Sequence, residues 1–103
     1  MDFTNKTVLL TGGGTGIGFA LAQLLVQRRN RVIIIGRRLE KLQEAQRLVP
    51  ALQVFQCNVA QPAAIDALFA TLHAQGVVLN ALVNNAAVLE MWDILKQPIF
   101  PIA

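Results

Sequence analysis

Eight residues near the start of the chain, Thr11-Gly12-Gly13-Gly14-Thr15-Gly16-Ile17-Gly18, have the make-up of a phosphate cradle. Glycine has no Cβ, so the backbone N–H groups of such a run can come close to an anion. A helix starting at the same place adds unpaired N–H groups and the positive end of its dipole. The run does not match a strict G-x-G-x-x-G, and Gly18 is followed by Phe19 instead of the lysine of a Walker A loop. A plain strand-to-helix turn would also use glycine. Gly16 and Gly18 fall inside the helix start, however, where each costs about 1 kcal/mol relative to alanine. Close approach of a pyrophosphate explains them better than a turn does.

A second group of residues bears on which nucleotide would be held. A site for NAD places Asp or Glu about twenty residues past the glycines, where the carboxylate accepts from the ribose 2′-hydroxyl. Here that place reads Gly36-Arg37-Arg38, with no acid until Glu40. Guanidinium groups pair with a phosphate in a fork, so a 2′-phosphate, and hence NADP over NAD, is favoured. The alternative is that both arginines merely charge the first turn of a solvated helix. Cations are unfavourable at that end of a helix, which argues for an anion nearby. Asn84-Asn85-Ala86-Ala87 forms a third group, with two amides able to bond backbone and ribose; an ordinary polar turn would look the same. His73, Cys57, Trp92, Asp66 and Glu90 have no partners in sequence that would make a catalytic or metal set, and they receive no role.

These groups need elements to position them, and the chain reads as strand and helix in alternation. Strands are expected at Lys6–Leu10, Arg31–Ile35, Leu52–Cys57 and Leu79–Val83. The run Val32-Ile33-Ile34-Ile35 is continuously apolar, as in a parallel strand buried on both faces. Helices are expected at Gly16–Arg29, with Ile17, Ala20, Leu21, Leu24 and Leu25 inward, and at Arg38–Val49, with Leu39, Leu42, Ala45 and Leu48 on one stripe. A third helix is expected at Ala63–Gln75, with Pro62 in its first turn and Gly76 as its stop. Helical crossovers make the strands parallel, in the order 3-2-1-4. Residues 1–88 then form a dinucleotide-binding unit. Residues 89–103 form a tail in which Glu90–Gln97 has room for one or two helical turns before Pro98 and Pro101.

Composition agrees with one small α/β unit: 103 residues, 54% hydrophobic and 15% charged. The net charge of +3 suits an anionic ligand, but the basic residues are scattered and no aromatics interleave them, which argues against nucleic acid. The single cysteine excludes an internal disulfide and a multi-cysteine metal site. The start lacks the pattern of a signal peptide and no apolar run approaches the ~20 residues of a membrane span, so a cytoplasmic protein is expected.

Taken together, the motifs resemble those of the short-chain dehydrogenase/reductase family in its classical form. That family carries T-G-x-x-x-G-x-G after its first strand, and Thr11–Gly18 is similar at every fixed position. It carries N-N-A-G after its fourth strand, where Asn84-Asn85-Ala86 is followed by Ala87. Its Asp-Val after the third strand corresponds to Asn58-Val59 here. The resemblance covers roughly residues 5–88 and implies a Rossmann-type doubly wound α/β sheet that binds NAD(P) and transfers hydride between nicotinamide and an alcohol or carbonyl. It implies that Gly12, Gly14, Thr15, Gly16, Ile17 and Gly18 line the pyrophosphate. Arg37 would take the 2′-phosphate with Arg38 as helper, and Asn58 and Val59 would flank adenine. Asn85 and Ala86 would line the ribose side, and Asn84 would brace the sheet. Some NADP-preferring members also place a basic residue just before the second motif glycine, where this chain has Thr15.

The family's acid/base tyrosine, with a lysine four residues later and a substrate-orienting serine, lies beyond the matched region. This chain contains no tyrosine. Members run to about twice its length, so the sequence looks like the nucleotide-binding half, cut soon after the fourth strand. The expectations are an NADP-binding chain that is inactive alone, a regulatory fragment, half of an enzyme completed by another chain, or a gene remnant. The open edge of the fourth strand would favour self-association or pairing with a full-length relative.

Overall fold

The computed structural model describes residues 4–12 and 16–84. Gly14, Thr15, Asn85, Ala86 and the expected tail helix lie outside the described residues. The elements run β1 (Thr7–Thr11), α1 (Gly16–Gln27), β2 (Arg31–Gly36), α2 (Leu39–Leu48), β3 (Gln53–Gln56), α3 (Pro62–Ala74) and β4 (Ala81–Val83). The four strands form one sheet in the order β3-β2-β1-β4, and every pairing is parallel. The expected strand order therefore holds.

Alternation along β1 and β2 divides the core in two. Val8, Leu10, Val32, Ile34 and Val83 pack with Leu21, Ala22 and Leu25 of α1 and with Leu42 and Ala45 of α2. Leu9, Ile33 and Ile35 point the other way, onto Leu68 and Leu72 of α3. Two helices on one face and one on the other make the sheet doubly wound. The chain steps outward from β1 to β2 to β3, then returns across the sheet to place β4 on the far side of β1. A reversal of this kind opens a crevice at the carboxyl ends of the central strands, where ligands of open α/β sheets bind.

The helix ends are closed by backbone geometry. After α1, Asn30 N–H donates to Leu25 O at 3.1 Å and Arg29 N–H to Val26 O at 3.0 Å, with Arg29 at φ 66°. After α3, Val77 N–H donates to Leu72 O and Gly76 N–H to His73 O, both at 3.0 Å, with Gly76 at φ 74°. Both are Schellman closures, with the left-handed residue where the helix must stop. Gly76 has the stopping role expected of it. Arg29 stops α1 in the same way, so that helix ends at Gln27 instead of continuing through Arg29.

Two burial expectations need correction. Ala20 and Leu24 of α1 are exposed, and the packed stripe is Gly18, Leu21, Ala22 and Leu25. In α2 only Leu42 and Ala45 are buried, and Leu48 is 69% exposed. α2 packs on β2 and β3, and β3 is only four residues long, so the sheet supports the middle of α2 and not its ends. β4 also begins at Ala81, not Leu79. The preceding residue, Asn80, accepts the Thr7 N–H on its Oδ1 at 2.7 Å and gives its own N–H to Thr7 O at 2.8 Å.

Candidate functional site

The glycine run leaves β1 at Thr11, and Gly12 follows with φ 70°. Its N–H donates to Ile35 O at 3.1 Å, which ties the start of the loop to the last turn of β2. Gly16, at φ 59°, is the first residue of α1. A Cβ built on Gly16 would meet no heavy atom of the described residues within 4 Å. Ile17 is half-buried against the core, and Gly18 is buried on the packed stripe of α1. A glycine there lets helix and strand pack closely, the role of the third glycine in a dinucleotide turn.

Beside this loop lies a cleft of about 300 Å³ lined by Thr11, Gly12, Ile35, Gly36, Arg37, Arg38, Lys41, Leu42, Cys57 and Val59. Its floor is apolar, made by Ile35 and Cys57, both buried, and by Leu42 from α2. Its rim is cationic. Arg37 and Arg38 are exposed, and Arg38 stands just before α2 in extended conformation with no side-chain cap bond. Arg38 Nε lies 3.7 Å from Glu40 Oε1, both side chains about 70% exposed (71% and 72%), so the pair is loose and solvated. The turn is pinned from β3: Cys57 N–H donates to Gly36 O at 2.8 Å, and Gln56 Nε2 donates to Arg37 O at 3.1 Å.

The sequence-derived residues thus divide. Gly12, Arg37, Arg38 and Val59 meet around one cleft. Gly16 begins the helix next to it. Asn58 does not line the cleft: its Oδ1 accepts the Ala60 N–H at 3.1 Å, closing a turn that leads into α3, and one lone pair of that oxygen is spent there. Asn84, directly after β4, is exposed and lines a second cleft with Leu9, Thr11, Ile35, Val59, Ile65, Leu68, Phe69 and Leu82. Thr11, Ile35 and Val59 line both clefts, so the two adjoin at the carboxyl edge of the sheet.

Lys41 and Gln56 escaped the sequence reading. Lys41 lies three residues after Arg38, the N-cap of α2, a spacing that brings the two to one side of the helix start. Gln56 carries no such signal, because its role depends on which strand lies beside β2. No set of three His, Cys, Asp or Glu that could hold a metal ion occurs among the described residues. An apolar floor, a cationic rim and a helix start open to solvent suit a flat ring bearing phosphates. The residues present therefore fit a nucleotide.

Comparison with known proteins agrees. The short chain dehydrogenase family profile matches residues 6–98. An uncharacterised oxidoreductase of Bacillus subtilis, DltE, is 42% identical over 96 residues, covering 93% of this chain and 38% of DltE. The NADP-dependent 3-hydroxy acid dehydrogenase YdfG of Escherichia coli is 39% identical over 80 residues, covering 77% of this chain and 32% of YdfG. Among solved structures, the citronellol catabolism dehydrogenase AtuB of Pseudomonas aeruginosa superposes with a TM-score of 0.74 at 29% identity, covering 80% of this chain and 36% of AtuB. The matched stretch makes up 38% of the length of DltE and 32% of that of YdfG, so the chain spans well under two thirds of these curated relatives. No helix among the described residues is long and apolar enough to cross a membrane. With its sheet order, its glycine turn and a profile match over most of its length, the chain belongs to the short-chain dehydrogenase family of oxidoreductases.

Proposed function

We propose that this chain binds NADP or NADPH and supplies the nucleotide-binding part of an oxidoreductase acting on an alcohol or carbonyl substrate. The observation that carries the reading is the end of β2, where Arg37 and Arg38 border an apolar cleft at the place an NAD site reserves for a carboxylate. Arg37 takes the 2′-phosphate, with Arg38 as helper. Adenine lies over the apolar floor against Val59. The pyrophosphate faces Gly12, Gly14, Thr15, Gly16 and Ile17, with Gly18 allowing α1 to sit close. Asn85 and Ala86 are assigned to the ribose side, and Asn84 to bracing the sheet. The bound dinucleotide supplies the hydride-carrying nicotinamide. The chain's own residues hold and orient it. The NADP dependence in the name of YdfG supports the choice of cofactor.

A second reading is favoured by one fact: the 103 residues contain no tyrosine. The resemblance assigns acid/base chemistry to a tyrosine, so the chain on its own binds the cofactor without turning it over. Pairing with a longer relative or with another copy, in the cytoplasm, would then be its route to activity or regulation. Incubating the chain with NADPH and a panel of carbonyl compounds tests this. No protein-dependent loss of NADPH absorbance is expected. Turnover that persists on purification and vanishes in Gly16→Asp would overturn the non-catalytic reading and leave the binding reading standing.

A further inference from the structure

We propose that the amino-terminal edge of the sheet, opposite the nucleotide cleft, is a docking face for an anionic lipid surface, on which the chain lies without spanning it.

The fold gathers residues that the sequence scatters. Parallel strands joined by helical crossovers send every helix back to the edge where the strands begin. Lys6 leads into β1, Arg28 and Arg29 close α1, Arg31 opens β2 and Arg47 lies in the last turn of α2. The edge is tied together: Arg31 N–H donates to Lys6 O at 2.8 Å, and Lys6 N–H to Asn30 Oδ1 at 3.0 Å. All these cations are exposed, and none takes part in an ion pair among the described residues. The described acids stand elsewhere. Glu40 and Asp66 lie in the first halves of α2 and α3, toward the cleft, and Glu44 is midway along α2.

The dipoles of helix C-termini account for Arg28, Arg29 and Arg47. They do not account for Lys6 and Arg31, or for the apolar residues alongside. Val78, 74% exposed, and Leu48, 69% exposed, are the most exposed large apolar side chains among the described residues, and both belong to this edge. Leu48 ends α2 ahead of β3, and Val78 lies between α3 and β4. In the order β3-β2-β1-β4 they therefore flank a cationic centre. A purely electrostatic partner has no use for bare aliphatic side chains. An anionic bilayer takes up both kinds, cations at the headgroups and aliphatic groups at the acyl boundary. The phenylalanines among the described residues, Phe19, Phe55 and Phe69, lie inside α1, β3 and α3, so this edge offers no ring for base stacking. Docked this way, the chain turns the cleft at the carboxyl edge away from the lipid.

The test floats the whole 103-residue chain with vesicles of phosphatidylcholine alone and of phosphatidylcholine mixed with phosphatidylserine. The mixed vesicles are expected to capture it and the neutral ones not, with capture falling as salt rises. A cation near an anionic leaflet is worth about fivefold in binding, so Arg28→Gln with Arg47→Gln should weaken capture about 25-fold. Arg37→Gln with Arg38→Gln removes the same charge from the opposite edge and should weaken capture far less. Leu48→Ser with Val78→Ser keeps the charge and should weaken capture severalfold. Circular dichroism melts of each variant separate loss of fold from loss of the face. The proposal is overturned if the mixed vesicles fail to capture the chain, or if the two arginine pairs matter equally, which would make the attraction one of net charge. It is also overturned if Leu48→Ser with Val78→Ser is captured like the parent; duplex DNA held through Arg28 and Arg47 would then mark the edge as a nucleic-acid face.

Discussion

The N–H of Gly12 and the carbonyl oxygen of Ile35 are 3.1 Å apart, and this one bond sets the glycine turn and the arginine turn side by side. Residues 23 positions apart in the chain thus border the same cleft. The parallel register carries the arrangement: Thr11 pairs with Ile35, so β1 and β2 release their chains at the same height.

Gly16→Ala tests the helix start. A residue with a Cβ at φ 59° is strained by roughly 1–2 kcal/mol. The added methyl group would meet no atom of the described residues within 4 Å, and the proposed site puts the pyrophosphate beside Gly16. The melting temperature is expected to fall modestly and nucleotide affinity to fall by more than the stability change accounts for. A variant that loses stability but binds NADP like the parent would remove Gly16 from the site.

Gln56→Leu tests the pin on the arginine turn. The bond from Gln56 Nε2 to Arg37 O is exposed, so its loss should cost at most about 1 kcal/mol of stability. The expected effect is a severalfold loss of NADP affinity with NAD affinity held. A parallel Arg37→Asp variant is expected to prefer NAD, since a carboxylate repels the 2′-phosphate and accepts from the 2′-hydroxyl.

Arg29 and Gly76 make a matched pair for stability. Both close a helix in the left-handed region, at φ 66° and 74°. Arg29→Gly relieves the strain of a side chain there, offset in part by greater freedom of the unfolded chain, for a net gain of about 0.5–1 kcal/mol. Gly76→Ala goes the other way by about 1 kcal/mol, through φ, because no atom of the described residues lies within 4 Å of the new Cβ. Denaturant unfolding of the two variants should show opposite signs.

Leu82 of β4 is 60% exposed on the α3 side of the sheet, near the exposed Phe69 and Val59 of the second cleft. Among the described residues β4 pairs only with β1. Self-association through this edge is expected as concentration rises, and Leu82→Lys should suppress it. Light scattering after size exclusion checks this; a parent that stays monomeric at every concentration would show the edge to be covered.

Much of the architecture could be read from residue order because β1 and β2 are apolar on both faces and each crossover is a helix. Val32–Ile35 needed no structure to be placed at the centre. The limits of α1 and α2 were harder. Nothing about arginine announces that Arg29 will take a left-handed conformation, since that choice follows from the closing bonds to Leu25 and Val26. Leu39 and Leu48 keep the helical spacing, yet the short β3 leaves them without a surface to cover. At the site, glycines and arginines announce themselves by type. Lys41 looks like one more charge on a wet helix until its wall position is seen, and Gln56 acquires its role only from the β2–β3 pairing.

The most direct test of the central claim is a calorimetric titration of the unmodified chain with NADP and with NAD at one ionic strength. A charge-assisted contact to the 2′-phosphate is worth about 1.5–3 kcal/mol, so NADP is expected to bind at least tenfold more tightly. Equal affinities, or tighter binding of NAD, would contradict the assignment of Arg37, with Arg38 as helper, to the 2′-phosphate and the NADP-binding function built on it.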